Sequence, residues 1–159
     1  MIDYHNSISV NNNEIVARVI FPPQMIRDGH ITPAAFVLRP SINEEYLSVL
    51  RVSFPSFNKD IKTIIYGRKR SFYGYAIMRV DEIDSLALTE KEYVVSCNTK
   101  IVDNQHYQSH AGIFILINGE PITGAMSFEN LPCGATQKHL LLAIRFCLTE
   151  IADRGVIEF

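Results

Sequence analysis

Hydrophobic and polar residues alternate in short segments along most of the chain. Segments rich in β-branched and aromatic residues, bounded by Gly, Pro, Asn or Asp, are typical of β-strands. They predict strands over residues 14–21, 35–39, 46–54, 71–80, 92–99 and 112–117, with a weaker hairpin partner over 121–128. Residues 112–117 are apolar on both faces, which favours a central strand covered from both sides.

Three segments have helical spacing instead. Ser56 precedes apolar residues three and four apart over 57–66, Asp81 precedes a short helical segment, and Thr136 precedes a long one over 137–154. Strands come first, short helices are inserted and the long helix comes last, which predicts an α+β domain. We expect a mixed or mainly antiparallel sheet with the long C-terminal helix packed on it.

Length and composition indicate a single globular domain over residues 1–159. The chain has 159 residues, of which 47% are hydrophobic. A domain of this size buries roughly two-thirds of its unfolded surface, so it needs no disulfide or metal to fold. The polar stretch within residues 1–13 suggests a flexible terminus. A net charge of −2 gives no overall field that would recruit nucleic acid or an anionic membrane.

Cysteine usage and the N-terminal sequence bear on the compartment. The three cysteines are widely spaced and form no C-x-x-C pair, which favours reduced thiols over a disulfide framework. The first residues lack the basic and apolar regions of a signal peptide. The apolar runs are far shorter than the about 20 residues that a bilayer span needs. We therefore expect a cytoplasmic protein without membrane association, and no cofactor.

The long helical segment has two apolar features. Most of its apolar residues form one broad arc that fits a sheet. Leu142 and Phe146 lie on the opposite, polar side, four residues apart and therefore adjacent. Either another part of the chain covers this pair, or the pair is the centre of a surface that binds another protein or a second copy of the chain.

The segment VDNQHYQSHAGIFI has the densest polar chemistry. His110 directly precedes the apolar strand, where Asp103 or Ser109 could orient its ring. A histidine titrates near neutrality, so His110 is a candidate general base. Cys97 is a candidate nucleophile with a histidine as its base. The alternative is a structural, hydrogen-bonded His110 that fixes the loop to the core.

The same segment contains an H-x3-H spacing, formed by His106 and His110, with Cys133 and His139 as further potential metal ligands. On a helix this spacing places both rings on one face, but here it lies in a loop. No C-x-x-C pair accompanies it. We therefore predict no metal site.

Four blocks of sequence carry a resemblance. They are GHITPAAFVLR (29–39), EEYLSVLR (44–51), GYAIMRVDEIDSLAL (74–88) and DNQHYQSHAGI (103–113). Their order resembles a group of small bacterial proteins that share the patterns A-F-x-x-R, L-S-V and D-N-x-x-H-A, and it covers roughly the middle half of the chain. Gln105 and His106 lengthen the last block relative to that pattern, which places more weight on His110 than on His106.

The resemblance implies a bacterial origin and a role beside a larger effector, such as a defence or toxin system, but no particular activity. It also implies that Arg39, Arg51, Asn104 and His110 form a shared set. Two guanidinium groups and a histidine suit an anion or another polar ligand. Alternatively, each arginine lies at the surface end of a strand, or Arg51 has a buried partner such as Glu45.

A basic and aromatic stretch, YGRKRSFYGYAIM (66–78), follows the first helix. Arg68, Lys69 and Arg70 precede Tyr73 and Tyr75, which share one face of a strand. The stretch resembles the central strand of an RNA-recognition motif, where aromatic side chains stack on bases. The alternative is a solvated turn in which the basic residues stabilise the helix C-terminus.

Three functions are therefore compatible with the sequence. The leading one is a small, non-enzymatic accessory or interaction protein that binds through Leu142 and Phe146. The second is a nucleic-acid-binding module that uses residues 66–78. The third is a hydrolase or transferase centred on His110, with Cys97 as a candidate nucleophile.

Overall fold

The computed structural model of the protein describes residues 2–67, 72–126 and 134–158. Its strands are β1 (Ile15–Ile20), β2 (Ile26–Arg27), β3 (His30–Ile31), β4 (Leu47–Arg51), β5 (Gly74–Arg79), β6 (Ala87–Glu90), β7 (Tyr93–Ile101), β8 (His110–Ile117), β9 (Glu120–Pro121) and β10 (Val156–Glu158). Its α-helices are α1 (Phe57–Gly67), α2 (Val80–Asp84) and α3 (Ala135–Asp153). Short 3-10 turns lie at Tyr4–Asn6, Pro33–Phe36, Pro40–Ile42 and Gly124–Met126.

One antiparallel sheet organises the fold. Its strand order is β10-β5-β1-β4-β8-β7-β6, with β9 paired to β8, while β2 and β3 form a separate small hairpin. β8 lies inside the sheet and is buried along almost its whole length, as its apolar sequence predicts. The long helix α3 packs on this sheet, so the α+β prediction is confirmed and the sheet is antiparallel.

The first face of the sheet, which α3 covers, contains the main core. Alternate residues of the strands point to this face, among them Val16, Val49, Met78 and Ile113. They pack with Leu140, Leu141, Ile144 and Leu148 of α3 and with Ile83 of α2. The apolar arc of α3 therefore has the role that its periodicity predicts.

The second face has two smaller covers. Phe57 and Ile61 of α1 pack on Ala17 and Leu50 in one half. In the other half, the N-terminal segment packs on β8, where the Tyr4 and Phe114 rings are 5.1 Å apart. Residues 2–13, which the sequence suggested were flexible, thus lie against the sheet. The part of the second face between the two covers carries polar side chains from β4 and β8.

Several elements differ from the sequence prediction. The strand expected over 35–39 does not form, and residues 33–36 form a 3-10 turn instead. Pro33 has no N–H to donate to a ladder, and Phe36 is buried towards α3. α3 begins after Gly134, so Thr136 lies inside the helix and does not cap it. The edge strands β6 and β10 were not predicted. Among the described residues, no helix is long and apolar enough to cross a membrane.

Candidate active site

His110 opens β8 and holds its imidazole in the second face of the sheet. Its Nδ1 lies 3.1 Å from the carbonyl oxygen of Val102, and since a carbonyl only accepts, Nδ1 carries the proton. In the neutral ring Nε2 is then the acceptor, 3.3 Å from the hydroxyl oxygen of Ser48. Burial lowers the pKa of His110 below its ordinary 6.5, although the Val102 hydrogen bond opposes this effect. The neutral, proton-accepting ring is therefore favoured at neutral pH.

Ser48 reaches His110 because of the strand register. Ser48 and Leu50 lie on the same side of β4, and Leu50 packs in the α1 cluster of the second face. The ladder pairs Leu50 with His110 and Ser48 with Gly112, so Ser48 and His110 are diagonal neighbours. Ser48 is exposed, whereas His110 is buried. Solvent therefore reaches the hydroxyl, and the base lies behind it.

Tyr46 packs against the imidazole from the side. Its ring centroid lies 5.6 Å from that of His110 at an interplanar angle of 65°. The ring fits there because Gly112 has no side chain: a Cβ at this position would lie 2.6 Å from Cδ2 of Tyr46. Tyr46 also packs on Phe114, with 5.5 Å between the ring centroids. The aromatic contact and the Val102 carbonyl together fix the orientation of the imidazole.

The sheet opens beside Ser48. β1 and β4 pair at two positions only, the second being Ala17 opposite Leu50, although β1 stays paired with β5 along its full length. The Arg18 guanidinium fills the gap: Nη1 donates to the Ser48 carbonyl oxygen at 2.8 Å, and Nε and Nη2 donate to that of Ala35 at 3.1 and 2.9 Å. Arg18 thereby satisfies carbonyl groups that the ladder does not, and it brings a positive charge beside Ser48.

A cleft of about 360 Å³ occupies this opening. Its apolar lining includes Val19, Phe21, Met25 and Val37, and its polar lining includes Arg18, Gln24, Arg39, Glu44 and Ser48. Arg39 and Glu44 are paired, with Nη2 2.9 Å from a carboxylate oxygen. The cleft therefore combines apolar side chains with an ion pair, and Ser48 lies on its wall.

No family model, curated protein or solved structure matches the chain.

Cys97 cannot act with His110. Its side chain lies in the core of the first face, packed under α3, whereas His110 lies on the second face. Burial raises the pKa of the Cys97 thiol, and the neighbouring Asp84 carboxylate raises it further. The expected nucleophile is thus a buried, neutral core residue, and the hydroxyl of Ser48 lies where a nucleophile would be needed.

The ligand set of Arg39, Arg51, Asn104 and His110 has separate partners rather than a shared site. Arg51 binds Glu14 through two hydrogen bonds of 2.9 and 3.0 Å, so it has an acidic partner, but that partner is Glu14 and not the suggested Glu45. Arg39 binds Glu44. The Asn104 side chain accepts from two backbone N–H groups of its own turn. His110 is oriented by the Val102 carbonyl, and not by Asp103 or Ser109 as the sequence suggested.

The potential metal ligands are also dispersed. His106 is exposed in the loop, His139 binds Glu90 at 2.8 Å, and Cys133 lies outside the described residues. Within residues 2–67, 72–126 and 134–158, no three His, Cys, Asp or Glu side chains come close enough together to hold a metal ion.

The aromatic pair of the suggested nucleic-acid surface does not form one platform. Tyr75 packs in the cluster beneath α1, with its ring 5.9 Å from that of Phe57. Tyr73 packs against the other core cluster, and its hydroxyl donates to Glu158. Their rings are therefore not available together for base stacking. Arg68, Lys69 and Arg70 lie outside the described residues.

The outer side of α3 keeps its exposed apolar pair. Leu142 is 39% exposed and Phe146 is 51% exposed, so the described part of the chain does not bury them. This exposure agrees with a binding surface and disagrees with cover by the N-terminal segment, which lies on the other face of the sheet. Leu142 and Phe146 therefore remain a candidate partner-binding surface.

Ser48 was not predicted as a site residue. The available signal was weak: one hydroxyl within the otherwise apolar run Leu47–Leu50. Its importance comes from a contact with a residue 62 positions away, which depends on the register of β4 and β8. The alternation of a single strand does not contain that information.

Proposed function

We propose that the protein is a serine-dependent hydrolase or acyltransferase in which Ser48 is the nucleophile and His110 is the general base. The observation that carries the proposal is the chain of contacts from the exposed Ser48 hydroxyl to Nε2 of His110 and from Nδ1 to the Val102 carbonyl. A nucleophile, its base and a group that orients the base are the three parts that such catalysis requires. A backbone carbonyl here has the position that a carboxylate has in the serine–histidine–aspartate arrangement.

The chemistry follows from the tautomer of His110. Ser48 Oγ attacks an acyl carbonyl carbon while its proton moves to Nε2, and the leaving group then departs with that proton. Water attacks the resulting acyl-serine while His110 accepts a proton from it. The bond between the acyl carbon and Ser48 Oγ then breaks, Nε2 returns the proton to Oγ, and the carboxylic acid leaves. The Arg18 guanidinium, which lines the same cleft, stabilises the negative charge that develops on the carbonyl oxygen.

The cleft supports a substrate with a short apolar acyl group. Its volume of about 360 Å³ is near the lower limit of small-molecule sites. Val19, Phe21 and Met25 offer apolar contact, and the Arg39–Glu44 pair offers hydrogen bonds to a polar leaving group. An ester or thioester of a short acid fits these features.

The test combines covalent labelling with turnover. We expect a fluorophosphonate probe to add to Ser48, located by peptide mass spectrometry, and purified protein to hydrolyse 4-nitrophenyl butyrate. Ser48→Ala should abolish labelling, and both Ser48→Ala and His110→Gln should lower kcat/KM by about 100-fold or more. Because burial lowers the pKa of His110, the midpoint of the rise of kcat/KM with pH should lie below 6.5.

Ser96→Ala is the matched control, because Ser96 is a half-buried serine in β7, the strand next to β8. It should leave labelling and turnover unchanged, and circular dichroism should show the same fold for all variants. If the wild-type protein neither labels nor turns over esters, or if Ser48→Ala still labels at the same rate, the proposal is wrong.

A second candidate function is favoured by the exposure of Leu142 and Phe146. In it, the protein is an accessory or interaction protein that binds a partner through α3, as a bacterial protein working beside a larger effector would do. The free thiols of Cys97 and Cys147 support a reducing, cytoplasmic setting for either function. The two functions use opposite faces of the sheet and are compatible with each other.

A further inference from the structure

A single ridge runs along the outside of α3. We call it the α3 outer ridge: Lys138, Leu142, Phe146 and Glu150, which are spaced four residues apart within the helix. Side chains at this spacing are neighbours and form the ridges with which helices pack on one another. The two apolar members are the most exposed large hydrophobic residues of α3, at 39% and 51%.

The charges of the α3 outer ridge are arranged symmetrically around its apolar centre. Lys138 lies four residues before Leu142, and Glu150 lies four residues after Phe146. They are about 18 Å apart along the helix axis, too far to pair with each other. A two-fold rotation about the midpoint of Leu142 and Phe146 exchanges Lys138 with Glu150. The ridge is therefore complementary to itself when a second ridge runs antiparallel to it.

We infer that the α3 outer ridge binds the same ridge of a second copy of this chain, with the two helices antiparallel. Leu142 of each copy would contact Phe146 of the other, and two Lys138–Glu150 pairs would fix the orientation. The inference names a partner for the second candidate function and is independent of catalysis at Ser48. A second copy accounts for both the apolar pair and the opposite charges at equal distances from it.

Sedimentation velocity on charge variants tests the inference. We expect the wild-type chain to reach twice its 18.0 kDa mass as concentration rises. Lys138→Glu alone, or Glu150→Lys alone, places like charges opposite each other and should raise the dimer Kd by about tenfold or more. The double variant, Lys138→Glu with Glu150→Lys, restores both pairs and should restore the dimer.

Lys62→Glu, an exposed charge reversal on α1, is the control and should leave the dimer unchanged. A wild-type chain that stays monomeric up to about 1 mM, or a double variant no better than the single ones, would overturn the inference. Ester turnover is measured on the same variants. If the monomeric charge variants still hydrolyse the ester, dimerisation through the α3 outer ridge is independent of catalysis at Ser48. Ser48→Ala leaves α3 intact, so it should abolish turnover while the dimer persists.

Discussion

The two faces of the sheet are stabilised in different ways. On the first face, one helix of 19 residues covers a continuous apolar core. On the second face, α1 and the N-terminal segment cover two small clusters, and Ser48 and His110 lie between them. The side chains buried under the long helix are mostly apolar, whereas the two short covers leave a gap in which hydrogen-bonded polar groups lie. The first face thus accounts for most of the stability, and the second has room for chemistry.

The largest predicted loss of stability comes from truncating a buried side chain on the first face. Leu148 lies on the core side of α3 and is fully buried. Leu148→Ala should therefore lower the free energy of unfolding by about 3–4 kcal/mol, measured by urea denaturation. Leu142→Ala makes the same chemical change on the same helix at a 39% exposed position, and should cost less than about 1 kcal/mol. Equal losses from the two variants would contradict the division of the helix into a core side and a solvent side.

The next effect concerns a buried carboxylate on the second face. Asp60 of α1 accepts from the Ser56 hydroxyl at 2.7 Å and from the hydroxyl and N–H of Ser109 at 2.6 and 3.0 Å. Burial acts to raise the pKa of Asp60, but these hydrogen bonds outweigh it and hold the pKa below its ordinary 3.8. The ionised form therefore stabilises the fold above that pH, and its contribution is lost as the pH falls towards the lowered pKa.

Asp60→Ala should accordingly cost about 2–3 kcal/mol of unfolding free energy at pH 7, because it leaves the Ser109 donors buried without their acceptor. The difference from wild type should shrink when urea denaturation is repeated near pH 3. Asn58→Ala, at an exposed position of the same helix, should change stability by less than about 0.5 kcal/mol. A loss that stays constant with pH would show that the charge of Asp60 is not what stabilises the contact.

Local patterns in the sequence were enough for the elements of the first face. The apolar arc of α3 and the doubly apolar strand β8 are each visible within one segment, and both were predicted. The order of strands and helices predicted the α+β class but left open whether the sheet is mixed or mainly antiparallel, and the observed strand pairs are antiparallel. The edge strands β6 and β10 were missed because their four and three residues are too short to show a period.

The candidate site was only half predictable. His110 was identified because one short segment of the sequence shows a histidine between a polar loop and a buried strand. Ser48 and Arg18 were not identified, because their roles depend on the register of β4 with β8 and on the separation of β1 from β4. Cys97 was suggested as the nucleophile beside a histidine, because alternation within β7 does not tell which side of that strand meets α3.

The smallest predicted effect is a gain in the free energy of unfolding, and it concerns a buried carboxylate on the first face. Asp84 of α2 accepts from the N–H and hydroxyl of Thr99, both at 2.9 Å, and Thr99 is buried. Burial raises the pKa of Asp84 from 3.8 to about 6, although the Thr99 hydrogen bonds act to lower it. The folded protein therefore binds this proton more tightly than the unfolded chain, so the carboxylate costs stability increasingly as pH rises from 4 to 6.

Asp84→Asn removes that charge and keeps an acceptor oxygen for Thr99. It should raise the unfolding free energy by about 1 kcal/mol at pH 8 and leave it nearly unchanged at pH 4. The pKa shift alone would give about 3 kcal/mol, and partial solvation of the side chain reduces that figure. Urea denaturation at both pH values measures the difference, with Glu92→Gln at an exposed position as the control. A variant less stable than wild type at pH 8 would mean that the first face tolerates a buried charge as well as the second face does at Asp60.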